Sequence, residues 1–169
     1  MGYIFRKAAQ EDIDIIWDIL QQAIIRRKED GSDQWQDGYP NPLVIEKDIV
    51  ASNGYVLVDD DTIVGYCAVL VNDEPAYGNI KGKWITTEDF LVLHRVAISE
   101  KHLGKGYAKI MLSFIEKIAS NQHIKSIKAD TNHDNIGMLK VFEKLGYVYC
   151  GEVILRGNSR KAFEKVLAD

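Results

Sequence analysis

His94 stands in an otherwise apolar run, Leu91-Val92-Leu93-His94-Arg95-Val96-Ala97-Ile98. An imidazole titrates near neutrality (~6.5 unperturbed), so a histidine here can take the proton that an ammonium must lose before it attacks a carbonyl. The same side chain would also serve as a core residue bonded to a backbone carbonyl. Glu88 and Asp89 precede the run and are rival bases, or simply solvated residues at a strand end. Just past the run comes Lys101-His102-Leu103-Gly104-Lys105-Gly106-Tyr107-Ala108. A glycine turn between a strand and a helix can aim several backbone N–H groups at one anion. Gly104 and Gly106 let the backbone approach phosphate oxygens, and the helix starting near Tyr107 adds its first-turn amides and positive dipole end. Lys101 and Lys105 add charge. No Gly-Lys-Thr or Gly-Lys-Ser follows, which excludes a nucleotide P-loop. A third glycine is missing, which excludes a dinucleotide fingerprint. Gly-Lys-Gly alone would equally be a ligand-free turn.

A second motif, Asn135-Ile136-Gly137-Met138, starts another helix that closes with Phe142-Glu143-Lys144-Leu145-Gly146-Tyr147. Together the two motifs resemble the coenzyme A site of the GNAT superfamily of acyl-CoA-dependent N-acetyltransferases. The family pattern is Arg or Gln, two residues, Gly, one residue, then Gly or Ala, directly after a strand. Gly104 and Gly106 match it, and Lys101 stands at the leading position. The resemblance implies acetyl-CoA as cofactor, held by Leu103, Gly104, Lys105, Gly106, Tyr107 and Ala108. It implies a bulge in the preceding strand, where Val96 and Ile98, with Ala97 between, pair with the pantetheine arm and steady the thioester oxygen. Asn135 matches an asparagine that touches the cofactor arm, though it would also cap its helix. Some aralkylamine-type members have histidine at the place of His94, and others have a carboxylate base on this strand, as Glu88 would be. The usual general acid, a tyrosine seven residues beyond the asparagine, is Phe142 here. A cysteine-like thiol is already fairly acidic (~8.5), so an acid is helpful rather than obligatory.

The implied activity is acetyl transfer from acetyl-CoA to a primary amine of a small molecule by direct attack, without a covalent enzyme intermediate. Modification of a protein N-terminus, a lysine or an aminoacyl-tRNA is the second reading. A non-catalytic acyl-CoA-binding sensor is the third, kept open by Phe142.

The elements that must carry these residues follow from hydrophobic spacing. Tyr3 to Arg6 reads as a strand. Asp12 to Ile25 reads as a helix with Ile16, Ile19, Leu20, Ala23 and Ile24 on one face. Asn41-Pro42 is an N-cap followed by proline, opening a helix to about Ser52. Tyr55 to Val58 and Thr62 to Val71 are strands around an Asp59-Asp60-Asp61 turn. Asn72 to Asp89 has no period and reads as a long loop of the kind that lines a site. Phe90 to Ile98 is apolar on both faces, as a central strand is. A helix with Tyr107, Ile110, Met111, Phe114, Ile115 and Ile118 on one stripe follows. Then come a strand at Ile124 to Ala129, a helix ending at Gly146, and strands at Tyr147 to Leu155 and Ala162 to Val166. The order β-α-α-β-β-β-α-β-α-β-β predicts a mixed α/β class, with one central twisted sheet of six to seven strands and helices on both faces. The chain reads as a single domain, 1–169.

The acceptor side should come from Glu29 to Asn41, the loop Asn72 to Asp89 and the last hairpin. Trp35 and Tyr39, among Asp30, Asp33 and Asp37, suit a cationic amine through charge and cation–π attraction. They would also serve as anchors for a solvated loop.

At 169 residues, 46% apolar and 27% charged, the chain suits one ordinary globular core. A net charge of −4 argues against a general electrostatic grip on DNA. No apolar run reaches membrane-spanning length, and no signal peptide is evident, so a cytoplasmic protein is expected. Cys67 and Cys150 read as packing thiols, and the four scattered histidines give no metal site. A homodimer through strands is compatible with the resemblance.

Overall fold

The computed structural model describes residues 2–169. Among these residues there are eight strands and four α-helices. In chain order these are β1 (Tyr3–Lys7), α1 (Ile13–Glu29), α2 (Pro42–Val50), β2 (Gly54–Asp59), β3 (Thr62–Val71), β4 (Lys81–Gly82), β5 (Phe90–Ile98), α3 (Tyr107–Asn121), β6 (Ser126–Thr131), α4 (Ile136–Lys144), β7 (Val148–Leu155) and β8 (Asn158–Val166). The chain condenses into two compact units: residues up to 69 with 95–114, and 70–94 with 115–169.

In the first unit β1, β2 and β3 form antiparallel ladders, with Tyr3 opposite Asp59 and Tyr55 opposite Cys67. The β2–β3 turn works because Asp60 and Asp61 both take left-handed backbone (φ +48° and +64°), as tight two-residue hairpins require. Ser99 N–H donates to the Val64 carbonyl at 2.8 Å, tying the chain just past β5 to β3. One sheet face is covered by α1 and α2. Ile16, Ile19, Leu20 and Ala23 of α1 and Ile45 of α2 pack with Val56, Val58, Tyr66 and Ala97. The α2 start is the predicted one: Asn41 Oδ1 accepts from Val44 N–H at 3.1 Å and Pro42 follows. Toward the other face, the rings of Phe5 and Phe114 of α3 stack at 5.5 Å.

In the second unit the strand order is β5-β6-β8-β7-β4. β5 and β6 run parallel, with Phe90–Leu93 registered against Ser126–Ala129, and α3 supplies the crossover that a parallel pair needs. β7 and β8 form a hairpin over Arg156 and Gly157, both left-handed (φ +47° and +78°). Phe142 of α4 packs against Tyr147 and Phe163 with ring centroids 5.0 and 4.9 Å away. Tyr77, Val92, Val153 and Ala162 make a second cluster beneath the 72–89 segment.

The predicted order holds, with one addition. β4 is a two-residue strand inside the stretch read as a loop, which also contains a 3-10 turn at Pro75–Asn79. No alternation could announce it, because close approach of two glycines makes the pairing. A β-carbon on Gly82 would lie 2.1 Å from the Cys150 carbonyl oxygen, and one on Gly151 would lie 2.1 Å from that of Lys81. Among the described residues, no helix is long and apolar enough to cross a membrane.

The 72–89 segment is fastened by one buried carboxylate. Glu164 of β8 is wholly buried and accepts from Ile85 N–H (2.6 Å), Thr86 Oγ1 (2.5 Å) and Ser126 Oγ (2.7 Å). Lys128, pushed down by burial, is drawn up by the charge of Glu164. Replacing Glu164 by Ala orphans these donors and leaves Lys128 without its counter-charge. Such a loss costs about 3–5 kcal/mol. The melting temperature of Glu164→Ala should therefore fall by roughly 6–20 °C, read by calorimetry against wild type.

Candidate active site

β5 carries the residues the sequence singled out, and its two halves take different partners. Within the first unit the pleat breaks at Arg95, which holds left-handed backbone (φ +55°) in mid-strand. The interruption therefore falls one residue before Val96, where the resemblance put the bulge at Val96 to Ile98. The side chain of Arg95 fixes it. Nε and Nη2 donate to the two oxygens of Asp48 at 2.9 and 2.5 Å, and Nη1 donates to Tyr39 Oη at 2.5 Å. Asp48 also accepts from the buried Tyr66 hydroxyl at 2.6 Å. Burial first, then the neighbouring Asp48 charge, pushes the Tyr66 phenol up, so it stays a donor. Arg95 thus pairs with the carboxylate of Asp48.

Tyr39 is committed to Arg95, whose guanidinium also lies 5.8 Å from its ring centroid. Trp35, with φ +62°, packs against the α1–α2 core instead. With Trp17, Ile24, Pro40 and Pro42 it lines an open groove of about 360 Å³. The two aromatics grouped in the sequence therefore do different things.

Past β5, Leu103, Gly104, Lys105 and Gly106 form an exposed turn, and Tyr107 and Ala108 begin α3. Gly104 and Gly106 have φ +76° and +80°. A β-carbon at either would meet nothing within 4 Å. Left-handed backbone, rather than crowding by the protein, is what calls for glycine here, and the space before the turn is open. The Tyr107 hydroxyl donates to Asp59 at the end of β2, and that bond pushes its phenol up to about 12. The first turn of α3 is thereby held to the sheet.

Within the second unit, His94 Nε2 lies 2.9 Å from Glu74 Oε2, and both side chains are 15% exposed. Glu74 Oε1 accepts from Ala76 N–H at 3.1 Å. The bond with His94 holds the Glu74 carboxyl below its usual range, against burial, which pushes it up. Beside them Tyr77, buried, donates its hydroxyl to Asp130 at 2.6 Å, and its ring centroid is 6.4 Å from that of His94. Glu88 does not join this cluster. It is exposed and lies before the start of β5, with His94 in the middle of that strand. The carboxylate beside His94 is Glu74, which sequence reasoning missed because its segment has no period. Asn135 caps α4, its Oδ1 accepting from Met138 N–H at 3.3 Å and its Nδ2 donating to Thr131 Oγ1 at 3.1 Å. Phe142 is a core residue, 1% exposed. Cys67 and Cys150 are free, buried thiols pushed up by that burial, which removes them as nucleophiles. No cluster of metal ligands exists among the described residues.

The glycine turn leading into α3 and the broken β5 are the features on which the sequence resembles an acetyltransferase, and comparison with known proteins bears on that resemblance. The model of the acetyltransferase (GNAT) family matches residues 17–147, and the chain belongs to that family. It is accordingly an acyltransferase, of a family that uses acetyl-CoA. A GNAT-family acetyltransferase from Streptococcus agalactiae is 34% identical, covers all of this chain and 98% of its own, and superposes with a TM-score of 0.90. An acetyltransferase from Salmonella typhimurium, solved with acetyl-CoA, is alike in fold at 15% identity, with 100% and 96% coverage and a TM-score of 0.70. Streptothricin acetyltransferase of Escherichia coli is 25% identical over 97 residues, 57% of this chain and 55% of that protein. The chain thus matches about half the length of that curated relative.

The residues present fit the diphosphate of that cofactor: two left-handed glycines open on their outer side, and a helix start directly behind them. An alanine at Gly106 would force a β-carbon into left-handed backbone, at about 1–2 kcal/mol. On an exposed turn this lowers the melting temperature by only a few degrees. Calorimetric titration of Gly106→Ala with acetyl-CoA should show affinity weakened tenfold or more.

Proposed function

We propose that the protein transfers the acetyl group of acetyl-CoA to the primary amine of a small molecule, with His94 as the general base. The observation that carries this reading is the His94–Glu74 pair on the strand that also bears the left-handed Arg95. An imidazole held at hydrogen-bond distance from a carboxylate has a fixed orientation, which removal of a proton from a substrate ammonium requires.

Acetyl-CoA, when bound, supplies an acyl group activated as a thioester. Main-chain amides of the turn Leu103 to Gly106 and of the α3 start at Tyr107 and Ala108 bind its diphosphate. Amides of Val96, Ala97 and Ile98, past the break at Arg95, orient its arm and the acyl oxygen. Asn135, beyond capping α4, contributes to the same arm. The His94 imidazole takes the proton from the acceptor amine. Trp35 offers an aromatic wall to the acceptor, and Tyr39 holds the acceptor loop through Arg95. Glu88 remains a surface carboxylate in this scheme. A small-molecule acceptor is supported by the streptothricin acetyltransferase relative, whose name specifies one.

The test is release of free CoA thiol from acetyl-CoA against a panel of amines, amino acids and peptides. Small primary amines should give acceptor-dependent release, and release with none of them sinks the small-amine reading. With the best acceptor, His94→Ala should lower kcat by about 10²–10⁴ near neutral pH.

A further inference from the structure

We propose that Glu74 is a positioning residue that fixes His94 as its Nε2–H tautomer, making Nδ1 the nitrogen that takes the acceptor's proton. This rests on reading His94 as the base. The argument begins with hydrogen-bond capacity. An ionised carboxylate only accepts, so the ring nitrogen 2.9 Å from Glu74 Oε2 must carry a hydrogen. A neutral imidazole has one N–H, and with that proton on Nε2 the lone pair sits on Nδ1.

The carboxylate is held in place independently of His94. Its second oxygen accepts from Ala76 N–H at 3.1 Å and thereby caps the 3-10 turn Pro75–Asn79. That turn is anchored twice. Tyr77 within it is 2% exposed and donates to Asp130 at 2.6 Å, and its carbonyl accepts from Trp84 Nε1 at 2.8 Å. Glu74 thus has a backbone partner that does not depend on the charge of the ring. The charged and titratable groups around the pair come from every neighbouring element. Glu74 and Tyr77 are on the segment after β3, Asp130 is on β6, Arg160 on β8 acts on Tyr77, and Arg156 of the β7–β8 turn acts on Glu74.

The proton step balances. An N–H bond of the acceptor ammonium breaks, its electron pair stays on the amine nitrogen, and the proton bonds to Nδ1. The positive charge moves from ammonium to imidazolium and is met by the charge of Glu74. The imidazolium returns the proton to bulk water after turnover.

Two measurements test this on the intact protein. Long-range proton–nitrogen NMR with 15N-labelled histidine should show neutral His94 protonated at Nε2 and bare at Nδ1. A dominant Nδ1–H form overturns the inference. Glu74→Gln keeps the shape and removes the charge. It should lower kcat on the order of tenfold and leave KM for acetyl-CoA unchanged. In a His94→Ala background, Glu74→Gln should cost nothing further, and an additive loss overturns the inference. The failures are separable. Undiminished turnover in His94→Ala removes the base reading whatever the tautomer. A dominant Nδ1–H form removes the role of Glu74 and leaves His94 as base.

Discussion

The bidentate bond between Arg95 and Asp48 is the constraint on which the first unit is arranged. A non-glycine residue in left-handed backbone costs on the order of 1–2 kcal/mol and persists only where its surroundings hold it. Here one guanidinium is gripped by two carboxylate oxygens and a phenol. The same carboxylate binds Tyr66 in the β3 core, and the same guanidinium binds Tyr39 in the segment between α1 and α2. The break in β5, the core beneath it and the aromatic loop are thus set by a single ion pair. Buried pairs of this kind add little net stability compared with apolar packing. Their value here is geometric: they leave one conformation open to a strand that would otherwise run straight.

The second unit uses the same device with different partners. Glu164 gathers donors from Ile85, Thr86 and Ser126, and Asp130 takes the Tyr77 hydroxyl. Together they turn a segment without hydrophobic period into a fixed support for Glu74. A histidine on a strand is a weak base candidate by itself. One whose partner carboxylate is tied to a backbone amide and a buried tyrosine turn has a defined orientation, and orientation is what proton transfer demands.

Much of this was legible in the chain. The spacing of Ile16, Ile19, Leu20 and Ala23, the Asn41-Pro42 cap and the glycine turn at Gly104 and Gly106 are local signals, and local signals survive folding. The partner of Arg95 was not legible: Asp48 lies 47 residues away on a helix whose register no pattern fixes. Glu74 was illegible for the same reason, 20 residues from His94 in a segment with no period. Glu88 looked nearer to His94 in sequence, yet an extended strand carries residues apart faster than any other conformation. Phe142 looked like a missing acid when judged against a family pattern. In the structure it fills a space between Tyr147 and Phe163 that belongs to the core.

Gly82 and Gly151 lie so close to the opposite backbone that neither can carry a side chain of its own. Most packing faults can be relieved by trimming whatever stands opposite. This one cannot, because each new atom would meet a main-chain carbonyl rather than a side chain. The two positions are therefore closed to stepwise substitution, and a lineage that altered either would have to abandon the β4 pairing itself. The smallest strand in the sheet thus has its pairing set by main-chain contact alone.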